Sequence, residues 1–75
     1  DPKLKTIIDL AFERNKDKSP SEVDLALLGL LYSRYNGNPP EDLEETVERL
    51  VFLGARKRGK ADPFDYTQRT LKRVR

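Results

Sequence analysis

A run of glutamates three or four residues apart, Glu41, Glu44, Glu45 and Glu48, is the first group in this sequence whose spacing could support chemistry. Such spacing places carboxylates on shared faces of a helix, where they could act as an acid–base pair or bind a cation. Both roles need a pocket, and this face lies opposite the apolar residues Leu43, Val47 and Leu50. Histidine and cysteine are absent, which removes the commonest general base, thiol nucleophiles and thiolate zinc sites. We therefore expect a solvated helix face and no enzyme.

Two loops contain fragments of ligand-binding motifs. Oxygen-bearing side chains alternate from Asn15 to Ser21, but Pro20 and Ala26 stand where a helix–loop–helix calcium site needs glycine and glutamate. Residues 54–61 have two glycines and a lysine at the spacing of a phosphate-binding loop, but alanine replaces the hydroxyl residue that holds magnesium. The sequence therefore predicts no catalytic residue, no metal site and no cofactor.

A basic C-terminal segment is the strongest candidate for binding. Residues 1–54 have 7 Lys or Arg and 11 Asp or Glu, whereas residues 55–75 have 8 and 2. The segment resembles in composition the recognition helix of a helix-turn-helix protein, with cations for phosphates and Thr, Gln and Arg for base edges. This alternative function, DNA or RNA binding, would use the following residues: Arg56, Lys57, Arg58, Lys60, Thr67, Gln68, Arg69, Lys72 and Arg73. The same charges also fit a simpler role, because cations stabilise helix C-termini and increase solubility.

Four positions combine a helix-capping residue with a following proline: Asp1-Pro2, Ser19-Pro20, Asn38-Pro39-Pro40 and Asp62-Pro63. The capping side chain accepts a hydrogen bond from a free amide of the first turn, and proline has no amide to leave unpaired. The sequence therefore predicts an all-α fold, a compact four-helix array with short capped loops. Its helices are expected at residues 2–15, 20–35, 39–57 and 63–74.

Apolar spacing supports the same helices. The second helix is apolar nearly all round, which predicts a central position. The fourth has the weakest apolar stripe, formed by Phe64, Leu71 and Val74. Asn36-Gly37 and Gly59 provide the left-handed residues that end the second and third helices.

Two glycines lie inside the predicted helices, at Gly29 and Gly54. Glycine in a helix costs about 1 kcal/mol relative to alanine. We therefore expect another helix to pass close to each of these positions.

The 75 residues are enough for one domain, 1–75, with a single core drawn from 20 Val, Ile, Leu and Phe side chains. No apolar run reaches the ~18–20 residues of a membrane span, and no signal peptide is expected. Localisation is open: cytoplasmic for a natural protein, recombinant expression for a designed one. A monomer is expected.

The whole chain resembles a computationally designed small helical protein, either de novo or redesigned. The resemblance depends on the four cap–proline starts, on acidic residues at the start of the third helix and basic residues at its end, and on the lack of Cys, His, Met and Trp. It implies a helical scaffold whose sequence encodes folding only, with no natural biochemical function and no partner.

Three functions therefore remain. The inert designed scaffold is the first, and nucleic-acid binding by residues 56–73 is the second. The third is a protein-interaction module that presents Phe52, Phe64 or Tyr66 in a groove for an acidic helix.

Overall fold

The structure, a computed structural model, describes residues 2–75 and consists in that range of four α-helices without a strand. The helices are α1 (Pro2–Arg14), α2 (Pro20–Arg34), α3 (Glu41–Lys57) and α4 (Pro63–Val74). The all-α four-helix prediction is confirmed, and every helix boundary agrees with the prediction to within two residues.

Two of the predicted caps form as expected. The Ser19 hydroxyl accepts a hydrogen bond from the amide of Glu22 at 3.4 Å, and the Asp62 carboxylate accepts one from the amide of Asp65 at 3.0 Å. The predicted cap at Asp1 lies outside the described residues.

The prediction that Asn38 caps the third helix is wrong. α3 begins at Glu41, and the carbonyl of Pro40 accepts its first hydrogen bond, from the amide of Glu44 at 3.0 Å. The helical region is sterically disfavoured for a residue that precedes a proline, so Pro39, which precedes Pro40, is a poor first helical residue after a cap at Asn38. The second proline therefore moves the start two residues further on.

The predicted ends of α2 and α3 are confirmed. Asn36 and Gly37 have φ values of 53° and 85° after α2, and Gly59 has a φ of 81° after α3. The amide of Gly37 donates to the carbonyl of Tyr32 at 2.8 Å, which satisfies a free carbonyl of the last turn.

The core forms around α2, as its apolar surface predicts. α2 packs against all three other helices, α3 also packs against α4, and α1 packs chiefly against α2. The buried apolar side chains are Ile7, Ala11, Leu27, Leu28, Leu31, Tyr32, Leu43, Val47, Val51, Ala55 and Leu71.

The expected stripe of α4 needs a correction. Leu71 is buried and Val74 packs against the core as predicted, but Phe64 is 65% exposed, and Thr67 and Thr70 are buried in addition. Each threonine hydroxyl donates to the carbonyl four residues earlier, at 2.8 and 2.9 Å. Because that bond satisfies the hydroxyl locally, the methyl group is free to pack in the core.

The expectation of a close helix crossing is wrong at Gly54, whereas α4 does pass beside Gly29 but leaves room for a side chain. A Cβ atom at Gly29 would lie 3.9 Å from Val74 of α4, an ordinary contact distance. A Cβ atom at Gly54 would meet no other helix, but would lie 3.1 Å from Nη1 of Arg58. Gly54 therefore makes room for an arginine side chain that folds back over the last turn of α3.

Candidate functional site

An open cleft lies between α1 and α3, with α2 as its floor. It forms because α1 packs chiefly against α2 and leaves the side of α3 that faces it uncovered. The cleft has a volume of about 450 Å³. Its apolar walls and floor comprise Ile8, Phe12, Val23, Leu27, Leu50 and Gly54. We call this feature the α1–α3 cleft.

Two large apolar side chains remain exposed on opposite walls of the α1–α3 cleft. Phe12 of α1 is 55% exposed, and Leu50 of α3 is 41% exposed. Leu50 was expected on the buried stripe of the third helix, and this expectation is wrong because α1 does not close over it. Facing apolar groups around a concave surface are typical of binding sites.

One end of the α1–α3 cleft is charged. Lys16 and Lys18 extend from the loop between α1 and α2, and Arg58 follows the end of α3. The acidic residue that lines this end is Asp24 of α2. Three cations therefore meet one carboxylate.

That carboxylate is already bound within the protein. Asp24 is 6% exposed, and Nη2 of Arg58 donates to its Oδ2 atom at 2.7 Å. The hydroxyl of Tyr66 donates to the same oxygen at 2.7 Å, and burial raises the pKa of Tyr66 so that the hydroxyl keeps its proton. We call Asp24, Arg58 and Tyr66 the Asp24 network.

A second network of the same composition lies at the other end of α2, α3 and α4. The hydroxyl of Tyr32 donates to Glu44, and Arg75 lies 3.8 Å from the same carboxylate oxygen. Nε of Arg75 donates to the Tyr32 hydroxyl at 3.3 Å, and this hydrogen bond raises the pKa of Arg75. We call these three residues the Glu44 network.

The expectation of a fully solvated glutamate face is wrong for two of its four residues. Glu41 and Glu45 are exposed, but Glu44 and Glu48 are half-buried beside α4. Burial, with a smaller contribution from the charge of Glu44, raises the pKa of Glu48. No group of three or more potential metal-binding side chains occurs in residues 2–75.

Some of the candidate nucleic-acid contacts are engaged within the protein. Thr67 is 3% exposed and its hydroxyl is bound to Pro63, so it faces the core. Arg58 belongs to the Asp24 network, Arg69 pairs with Asp65 at 2.9 Å, and Gln68 is half-buried. The exposed candidate cations are Arg56, Lys57 and Lys60 before the start of α4, and Arg69, Lys72 and Arg73 along its second half.

Sequence reasoning missed the α1–α3 cleft, although one signal was present. α1 carries two apolar stripes, Ile7 with Ala11 and Ile8 with Phe12. Packing against one neighbouring helix requires only the Ile7–Ala11 stripe, and these two residues are the buried ones. The second stripe lines the cleft.

No helix within residues 2–75 is both long enough and apolar enough to cross a bilayer. In comparisons with known proteins, no family model matches the chain, and no curated protein or solved structure matches it at a significant level.

Proposed function

We propose that the protein is an interaction module that binds a helix of a partner protein, with the apolar face of that helix in the α1–α3 cleft. The observation that carries this proposal is the pair of exposed side chains, Phe12 and Leu50, on facing walls of one concave apolar surface. Amphipathic helices bind such grooves through side chains at positions i, i+3, i+4 and i+7.

The shape of the cleft favours a helix over a small molecule. Small-molecule sites bury roughly 70–90% of their ligand between closed walls. Here the walls remain substantially exposed, at Phe12 and Leu50. An extended apolar face would cover both side chains at once, whereas a small ligand would leave much of its own surface in water.

The aromatic residues proposed from the sequence offer a weaker surface. Phe52 and Phe64 line a groove between α3 and α4, but Glu45 and Glu48 line it as well and would repel an acidic helix. Tyr66 is committed to Asp24. The interaction hypothesis therefore moves from these residues to the α1–α3 cleft.

The inert scaffold remains a proposal that folding alone can support. Within residues 2–75, every buried polar side-chain atom has a hydrogen-bond partner, so folding requirements account for both networks. They do not account for Phe12 and Leu50, because surfaces optimised for folding and solubility avoid exposed apolar pairs. Nucleic-acid binding also remains a prediction, which a salt titration with duplex DNA would test through the slope of log K against log salt.

A labelled helical peptide tests the binding proposal. The probe has about four turns, with leucine at positions i, i+3, i+4 and i+7. Fluorescence anisotropy measures its affinity, and amide chemical shifts locate it on the protein. Phe12→Ser and Leu50→Ser should each weaken binding by about 10-fold or more, as expected for central anchors. The matched control is Phe64→Ser, which removes an aromatic side chain of similar exposure, 65% against 55% for Phe12, from the other groove and should leave the affinity unchanged.

Three results would overturn the proposal. They are a peptide that fails to bind, shifts that cluster around Phe64, and an affinity that Phe64→Ser lowers as much as Phe12→Ser does. Sedimentation equilibrium provides a fourth: a dimer that Phe12→Ser dissociates would mean that the cleft binds a second copy of the chain.

A further inference from the structure

We infer that the partner helix carries carboxylates at one end, which bind the cationic end of the α1–α3 cleft formed by Lys16, Lys18 and Arg58. This inference rests on the proposed function and specifies the chemistry of the partner. It follows from the position of the charges relative to the apolar walls, because all three cations line the same end of the cleft.

The two lysines are available to a partner. Both are exposed on the loop between α1 and α2, and neither forms an ion pair with any residue from 2 to 75. Lysines that only increased solubility would have no reason to border an apolar cleft. Placed there, they provide the charged rim that selects a partner and accelerates its association.

Arg58 adds a directional donor beside these lysines. Its Nη2 atom is taken by Asp24 and also lies 3.4 Å from the Tyr66 hydroxyl. Its Nη1 atom lies over Gly54, whose missing side chain lets the guanidinium reach the lining of the cleft. The Asp24 network therefore fixes one edge of the guanidinium. Its other edge borders the cleft, where a carboxylate of the partner could accept a hydrogen bond from it.

The charge of Asp24 does not cancel this attraction. Its carboxylate is 8% exposed and is neutralised by Arg58 at 2.7 Å. The cleft end is therefore left with the two lysine charges. An acidic group on the partner would be attracted, and a basic group would be repelled.

Two peptides that differ only in charge test the inference. Both have the leucine face of the probe above, and one has two glutamates in a terminal turn where the other has two glutamines. We expect the glutamate peptide to bind about 10-fold tighter at ~20 mM salt and less than about 3-fold tighter at ~500 mM salt, because exposed charges are screened. Both positions of the glutamate pair, first turn and last turn, are measured, and the tighter isomer is used.

A double substitution in the protein locates the effect. Lys16→Gln with Lys18→Gln should reduce the advantage of the glutamate peptide to less than about 3-fold while the glutamine peptide binds as before. The matched control, Lys72→Gln with Arg73→Gln, removes the same charge from the far end of α4 and should preserve the advantage.

The outcomes separate the inference from the proposed function. Equal affinity of the two peptides, with binding still lost in Phe12→Ser, would overturn the inference and leave the proposed function standing. An advantage that the control substitution removes equally would also overturn the inference, because it would reflect net charge alone. Failure of both peptides to bind would overturn the proposed function itself.

Discussion

Asp24 of α2 and Arg58, the residue after α3, form an ion pair of 2.7 Å although 34 positions separate them in the sequence. Tyr66 of α4 donates to the same carboxylate, so a single side chain joins three helices. The Glu44 network repeats this arrangement at the opposite end. α1 contributes to neither network, so this wall of the α1–α3 cleft is fixed to the rest of the fold chiefly by packing on α2.

Removing the charge of Asp24 should destabilise the protein. Asp24→Asn leaves the partly buried guanidinium of Arg58 without an anion, and hydrogen bonds to charged groups contribute about 1.5–3 kcal/mol. Because Arg58 is 27% exposed and keeps some solvation, we expect a loss of about 2 kcal/mol in the free energy of unfolding. Urea denaturation followed by circular dichroism measures it.

Asp9→Asn is the matched control. Asp9 also pairs with a cation, Lys5 at 3.5 Å, but both side chains are largely exposed. Such pairs contribute about 0.3–0.5 kcal/mol on helices, so the control should barely move the denaturation midpoint. Equal effects of the two substitutions would contradict a special role for the Asp24 network.

The two helical glycines should respond differently to alanine. Gly29→Ala places a methyl group 3.9 Å from Val74, without a clash, and should gain about 1 kcal/mol from helix propensity. Gly54→Ala places a methyl group 3.1 Å from Nη1 of Arg58, so the guanidinium must shift by a few tenths of an ångström. Because Asp24 holds it in place, most of that gain should be lost.

Combining Gly54→Ala with Asp24→Asn checks the cause. Once Arg58 has no carboxylate to hold it, the guanidinium can move away at little cost, and the alanine should recover its gain of about 1 kcal/mol. If the effects of the two substitutions on the free energy of unfolding were additive, room for the Arg58 side chain would not be the reason for a glycine at position 54.

The helices could be predicted because their signals are local. Ser19 and Asp62 mark helix starts through bonds that span three residues, and Gly59 marks an end through its own backbone angle. The wide apolar surface of α2 likewise indicated its central position. None of these features depends on how the helices are arranged in space.

The cleft could not be predicted because it depends on which helices fail to meet. Leu50 lies on the same stripe as Val47, and only the position of α1 decides that one is exposed and the other buried. Asp24 looked like one more acidic residue near a helix start, since its partner Arg58 is supplied by a distant turn. Thr67 was counted as polar, although its hydroxyl is satisfied within its own helix.

The start of α3 can be tested by mutation, because the sequence pattern predicts a cap at Asn38 and the structure does not show one. Asp62→Ala removes an acceptor from the first turn of α4 and should cost about 1 kcal/mol. Asn38→Ala should cost almost nothing, because α3 begins three residues later without a side-chain cap. If Asn38→Ala lowered the free energy of unfolding as much as Asp62→Ala does, α3 would begin directly after Asn38, as the cap–proline pattern predicts.

The stability of the protein should depend on the ionisation of Glu48. Burial raises the pKa of Glu48 above its usual value of 4.5, so the folded state binds this proton more tightly than the unfolded state, and stability falls as pH rises through that window. Glu48→Gln should therefore stabilise the protein at pH 7 by about 0.2–0.5 kcal/mol, as for removal of a like-charge pair with Glu44, four residues earlier. At pH 3, where the carboxyl is protonated in both states, the gain should vanish. Thermal melts at both pH values measure this difference in stability, with Glu13→Gln at an exposed position as the control. A gain that persists at pH 3 would assign the effect to packing rather than to charge.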